Sequence, residues 1–189
     1  MPFYPLSGIA IRAAGLLPGV ERKQLIEFRT QKDHFFRHDP DSPIPEHLRA
    51  SFNGLDYYPP DPTLDLELDI EPADGNRVLL ETSDGAQRRY RKAVKVHFEV
   101  DGEMVELTLL AADSGHDHGL FLPFRDATSG KETYGAGRYL DVDAPTGGKV
   151  RIDFNLAYSP SCAYDDRYSC PLPPVENWLK VPIRAGEMA

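Results

Sequence analysis

The strongest constraint in the chain is one dipeptide, Asp101-Gly102, set between two runs rich in β-branched and aliphatic residues. A two-residue hairpin turn needs left-handed backbone, which Asp and Gly tolerate. Such a turn pairs Val100 with Glu103, then Phe98 with Val105, Val96 with Leu107 and Val94 with Leu109. The last three pairs are wholly apolar and share one face. A one-residue slip would turn them all to the other side, so register and hydrophobic pattern specify each other. The opposite face sets Lys95 across from Thr108 and His97 across from Glu106. His97–Glu106 is a candidate acid/base pair, against the simpler reading of a solvated cross-strand contact.

The same reasoning extends antiparallel β-structure from Leu64 to Ala112. Leu64, Leu66, Leu68 and Ile70 alternate with acids, and Asp84-Gly85 predicts a second hairpin with Glu81 across from Arg88. Further strands are expected at Phe121–Phe124, Tyr134–Val142, Lys149–Asn155 and Glu176–Ile183, the last an edge because Pro182 cannot donate to a ladder. One amphipathic helix is predicted over Glu21–Arg37. It buries Leu25, Phe28, Phe35 and Phe36 around the Lys32 stem, carries Arg29 and Asp33 as a solvated i,i+4 pair, and stops at Asp39-Pro40. Pro45 starts a short second helix. Seventeen prolines and fifteen glycines among 189 residues suit short strands and turns. The expected fold is therefore mainly β with one N-terminal helix and a short second helix, an antiparallel barrel or sandwich. Residues 1–19 form an N-terminal arm, and residues 20–189 form a single β-rich domain.

A net charge of −9 opposes binding to nucleic acid or an anionic membrane. No run of eighteen apolar residues is present, and the apolar start lacks a basic leader. The expected location is cytoplasmic, where Cys162 and Cys170 are more naturally thiols than a bridge. Oligomeric state is not legible.

Chemistry concentrates in residues 121–174, where Arg, Asp, Asn, Tyr and both cysteines crowd between Gly and Pro. Arg125 to Gly130 reads as a tight polar loop able to offer backbone N–H groups to an anion, without phosphate-loop spacing. Gly135 and Gly137 leave one strand face bare for a close approach. Arg138 shares a face with Leu140 and Val142. If that face is the core the guanidinium must be paired, and Asp153 is the candidate partner. Cys-x7-Cys fits neither a standard zinc spacing nor a C-x-x-C redox site. A nucleophilic Cys162 would want a histidine base, and His97, His116 and His118 qualify only by type. The His116/His118 loop is a weak metal cluster lacking a third ligand, so no metal is expected.

Several segments are similar to a known family. They are Arg29-Thr-Gln-Lys-Asp-His-Phe-Phe36, Phe52-Asn-Gly-Leu55 and Tyr58-Pro-Pro-Asp-Pro62. They continue with Phe121 to Gly130, Thr133-Tyr-Gly-Ala-Gly-Arg-Tyr-Leu-Asp141, Asp153-Phe-Asn-Leu-Ala-Tyr158, Cys162-Ala-Tyr164, Cys170-Pro-Leu-Pro-Pro174 and Ala185-Gly-Glu187. Over roughly residues 21–188 the chain resembles the bacterial and archaeal family catalogued as domain of unknown function sixteen-eighty-four. That family is uncharacterised, so the resemblance implies no activity or cofactor. The first 19 residues and the His116/His118 loop fall outside it.

Three functions compete. The first is a pocket for a small polar or anionic ligand, built from Arg125, Asp126, Tyr134, Arg138, Tyr139, Asp153, Asn155, Tyr158, Cys162 and Tyr164. The second is a hydrolase-like enzyme using Cys162, or Asp153 or Asp126 as base. The third is a structural polar network, with function in a partner surface. The cofactor is unknown: a flavin in a barrel cleft stays open, although no dinucleotide fingerprint is present.

Overall fold

A computed structural model describes residues 18–113 and 119–189. The expected arm (save its last two residues) and the His116/His118 loop lie outside the described residues.

Helix α1 (Pro18–His38) begins at a proline, whose fixed φ suits a first turn, and ends ahead of Pro40. Helix α2 is one turn, Glu46–Arg49, entered from Pro45 as expected. The strands are β1 (Asp65–Asp69), β2 (Glu71–Pro72), β3 (Arg77–Glu81), β4 (Gln87–Val100), β5 (Glu103–Ala112), β6 (Leu120–Phe124), β7 (Arg138–Val142) and β8 (Lys149–Asp153). One sheet runs β2-β4-β5-β6-β7, with β3 also on β4; β1 and β8 form a second, two-stranded sheet. The sheets do not close on themselves, so of barrel and sandwich the architecture is sandwich-like. Leu66 and Leu68 of β1 and Val150 and Ile152 of β8 pack on Val96, Leu107, Leu122 and Leu140 of the large sheet. That apolar seam is the main core.

The β4–β5 hairpin has the predicted register throughout, from Val100↔Glu103 to Val94↔Leu109, with Asp101 at φ 52° and Gly102 at φ 78°. The β3–β4 hairpin differs by one residue: Glu81 faces Gln87, not Arg88. Thr82 N bonds Ala86 O at 2.9 Å, making a three-residue loop. Asp84 causes this, because its carboxylate accepts from the Thr82 hydroxyl and the Ala86 N–H. The expected final strand over Glu176–Ile183 does not form. Instead Val175–Asn177 is a 3-10 turn, and Asn177 uses its side chain as if it were backbone. Its amide accepts from Thr108 N at 2.9 Å and donates to Thr108 O at 2.9 Å and Pro123 O at 2.8 Å. A side chain meeting three ladder groups replaces the strand.

The large sheet is covered on its second face too. Leu80, Tyr90, Leu110, Phe121 and Tyr139 point away from the main core and pack under the loop carrying Cys162 and Cys170. Ser83 ties that loop down: its N–H donates to Cys170 O (2.8 Å) and its hydroxyl accepts from Cys170 N (3.1 Å). Tyr139 OH donates to Pro171 O.

Candidate functional site

Arg138 faces the core, as its sharing a face with Leu140 and Val142 requires, and it is 1 % exposed. Its partner is Asp126, not the expected Asp153: Nη2 meets Asp126 Oδ2 at 2.8 Å. The topology explains the difference. Arg138 lies opposite Phe124 on β6, which brings Asp126 two residues further on within reach, whereas Asp153 ends β8 in the other sheet. The guanidinium also donates to three carbonyls, Ile183 O (2.7 Å), Ala185 O and Glu187 O (3.1 Å), and lies over the Phe124 ring. Burial pulls its pKa down and the Asp126 carboxylate opposes that. Asp126 is saturated as well, accepting from Thr128 N, the Thr128 hydroxyl and Ile183 N. The backbone N–H groups of residues 128–133 bond within their own loop, to Asp126 and Thr128 above all, so the expected anion cradle is filled internally. Arg138 is a clamp on the C-terminal segment.

A second buried ion pair, unforeseen in the sequence, closes the same segment. Lys32 of α1 bonds Glu187, which also accepts from Ser159 N (2.8 Å) and Tyr164 OH (3.2 Å). The two side chains are 4 % and 2 % exposed. The helix face holding Lys32 is therefore not only apolar. Arg29 and Asp33 are not a solvated pair either: Arg29 donates to Tyr58 O and Asn155 O, and Asp33 accepts from Leu55 N. The one available signal was Lys32 lying amid Phe28, Phe35 and Phe36, a lysine on an apolar stripe.

The remaining candidates fall into separate places. Asp153 caps the turn after β8, accepting from Asn155 N (2.9 Å) and Nδ2 (2.8 Å), and burial raises its pKa. Asn155 bridges to Asp61 through both ends of its amide. Arg125 stacks its guanidinium over Trp178, 4.7 Å from the ring centre. Tyr164 sits edge-on to Phe36. The bare face at Gly137 is filled by the chain itself: a Cβ there would lie 2.5 Å from Phe124 O and 2.8 Å from Pro173 Cγ.

One cluster keeps chemistry unspent. Cys162 and Cys170 are free thiols, each 7 % exposed. The 3-10 turn Ser161–Ala163 aims the Cys162 N–H at Cys170 Sγ, 3.3 Å away. The hydroxyl of half-buried Tyr134 lies 3.8 Å from Cys162 Sγ, and Tyr139 and Tyr158 meet edge to face alongside. A hydrogen bond from the Cys170 thiol, helped by Ser83 and Tyr134 and opposed by burial, holds Cys162 down to about 6. The same bond pushes Cys170 up, as two thiols sharing one proton require: the first leaves easily and the second is retained. Tyr134 is pushed up to about 12 by burial and the neighbouring sulfur. None of the described histidines is among the groups bonded to Cys162. His97 bonds Glu106 at 2.9 Å on the far hairpin, the simpler of the two readings of that pair. Among the described residues no group of three or more His, Cys, Asp or Glu could hold a metal ion.

The model of the family described as Protein of unknown function (DUF1684) matches residues 50–188. The chain belongs to this family. The match spans every strand and both cysteines, while α1, with Arg29 and Lys32, precedes it. A family-sized likeness is also seen in a solved structure, the solution NMR structure of an uncharacterized protein of Haloarcula marismortui. It is 40% identical, with a TM-score of 0.70, over 90% of this chain and 95% of that one. No curated protein matches. No helix of the described residues is long and apolar enough to cross a membrane.

Proposed function

We propose that this chain acts through a reactive thiol, with Cys162 as nucleophile toward a small electrophilic molecule held against Tyr134, Tyr139 and Tyr158. What supports this reading is the placement of the two thiols side by side, with the Cys162 N–H 3.3 Å from Cys170 Sγ and the Tyr134 hydroxyl 3.8 Å from Cys162 Sγ, and a Cys162 pKa held below the ordinary thiol value without a histidine base. The competing pocket for an anion at Arg138 has less support, because that guanidinium already meets one carboxylate and three carbonyls. A general base at Asp126 or Asp153 is disfavoured on the same ground, since both carboxylates are occupied by internal donors. The half-exposed Trp178, with Val175 beside it at 73 % exposed, favours an additional partner surface there.

The test is alkylation of the native, reduced chain by iodoacetamide, followed residue by residue by mass spectrometry between pH 5 and pH 9. Cys162 is expected to react first, with a rate that rises through about pH 6, while Cys170 stays unmodified. Equal, slow modification of both cysteines, rising only near the ordinary thiol pKa, would remove the reading.

A further inference from the structure

The reactive-thiol reading uses Cys162 and leaves open why a second buried thiol stands against it. Cys170 is not spare core filling. It takes a hydrogen bond from the Cys162 N–H at 3.3 Å, and its backbone is fixed on both sides to Ser83 of the β3–β4 hairpin. Cys162 is fixed from its side by the 3-10 turn and by half-buried Tyr134, whose hydroxyl lies 3.8 Å from its sulfur. Two buried thiols in one cluster, on anchored backbones, with the Tyr134 hydroxyl beside one of them, are arranged for one to be attacked and the other to resolve. Resting on the reading above, we infer that Cys162 and Cys170 are a peroxidatic and resolving pair that closes to a disulfide on reaction with a small hydroperoxide.

The step balances as follows. The Cys162 thiolate attacks the terminal peroxide oxygen, the O–O bond breaks, and the leaving oxygen departs as water or an alcohol once protonated; Cys162 becomes a sulfenic acid. The Cys170 sulfur then attacks the Cys162 sulfur, the S–S bond forms, the S–O bond breaks, and the sulfenic oxygen leaves as water, taking the Cys170 proton. Two thiols give up two electrons in all and one hydroperoxide accepts them. A hydroperoxide suits the geometry because both sulfurs are buried, so a bulky disulfide reagent would have to open the loop first. Return to the dithiol requires an external thiol reductant.

The chain itself supplies the readout. Arg167 lies between the two cysteines, so tryptic cleavage after it places them on different peptides. Reduced, full-length protein treated with one equivalent of hydrogen peroxide is expected to lose the mass of two hydrogens. It should also yield the two peptides joined, parting on reduction. Cys170→Ser should stop at a sulfenic acid on Cys162, trapped by dimedone, and Cys162→Ser should leave the peroxide unconsumed. Cys162 oxidised to sulfenic or higher acids in the native protein, with Cys170 still free, would overturn the pairing while leaving the reactive thiol intact. If Cys162 neither alkylates nor oxidises, both readings fall together.

Discussion

Replacing Arg138 by methionine keeps most of the side-chain volume and removes every donor. Three carbonyls, those of Ile183, Ala185 and Glu187, then face an apolar side chain, and Asp126 stays behind as a buried charge. Asp126 keeps Thr128 N at 2.8 Å, the Thr128 hydroxyl and Ile183 N at 3.1 Å, which softens the loss. Removing one member of a buried ion pair costs about 3–5 kcal/mol, and the retained donors hold the expected cost to about 3–4 kcal/mol by the same measure. For a domain of this size each kcal/mol lowers Tm by roughly 2–4 °C, so a fall of roughly 6–16 °C is expected. The assay is urea and thermal unfolding of wild type, Arg138→Met and the double variant Arg138→Met/Asp126→Leu. The double variant should not restore wild-type stability, because it removes the buried charge but leaves the Thr128 and Ile183 donors without their acceptor. A cost below about 1 kcal/mol, a surface-like value, would refute the clamp and return Arg138 to the role of ligand anchor.

Glu187→Gln leaves Lys32 as an uncompensated buried charge and should cost about 3–5 kcal/mol in urea unfolding, with Lys32→Met restoring part of it. Gly137→Ala, at φ +104° with Phe124 O 2.5 Å from the new methyl group, should cost about 2–5 kcal/mol from backbone strain and overpacking, measured as a shift in Tm. Stability should also follow the thiol pair. Cys162 titrates lower in the folded chain than unfolded, so its contribution is lost as pH falls through about 6 and grows as pH rises toward the unfolded thiol value. Cys170 titrates higher when folded, so above that value the trend reverses. Wild-type stability relative to Cys162→Ser/Cys170→Ser should therefore peak near pH ~8.5. A flat difference across that range would remove the shared proton.

Much of the sheet was legible because side-chain alternation and turn chemistry act over a few residues. Asp101-Gly102 set a register that held for seven consecutive partners from Val100 back to Val94 on β4. Where a side chain takes a backbone's place, the pattern misleads: Asp84 adds a residue to one turn, and Asn177 substitutes for a strand. The buried charges were legible only in part. Arg138 had to be paired if it faced inward, but which acid it meets depends on strand order, and alternation carries no information about that. Lys32 and Glu187 are 155 residues apart in sequence and meet only because the last turn of the chain folds back over α1. Of the ten candidate residues, Tyr134, Tyr139, Tyr158 and Cys162 lie in one cluster, while Arg138 bonds Asp126 and Asp153 caps the turn at Asn155. Pattern reading detects residues that need partners, and it cannot tell a partner within the chain from a ligand.

The central claim, that two buried thiols share one proton and thereby arm Cys162, is tested most directly by thiolate ultraviolet absorbance of the native chain during a pH titration. One thiolate should appear with a midpoint near 6 and vanish in Cys162→Ser, with the second not released until well above the ordinary thiol range. Two thiolates appearing together near pH ~8.5, the value of an isolated cysteine, would contradict it.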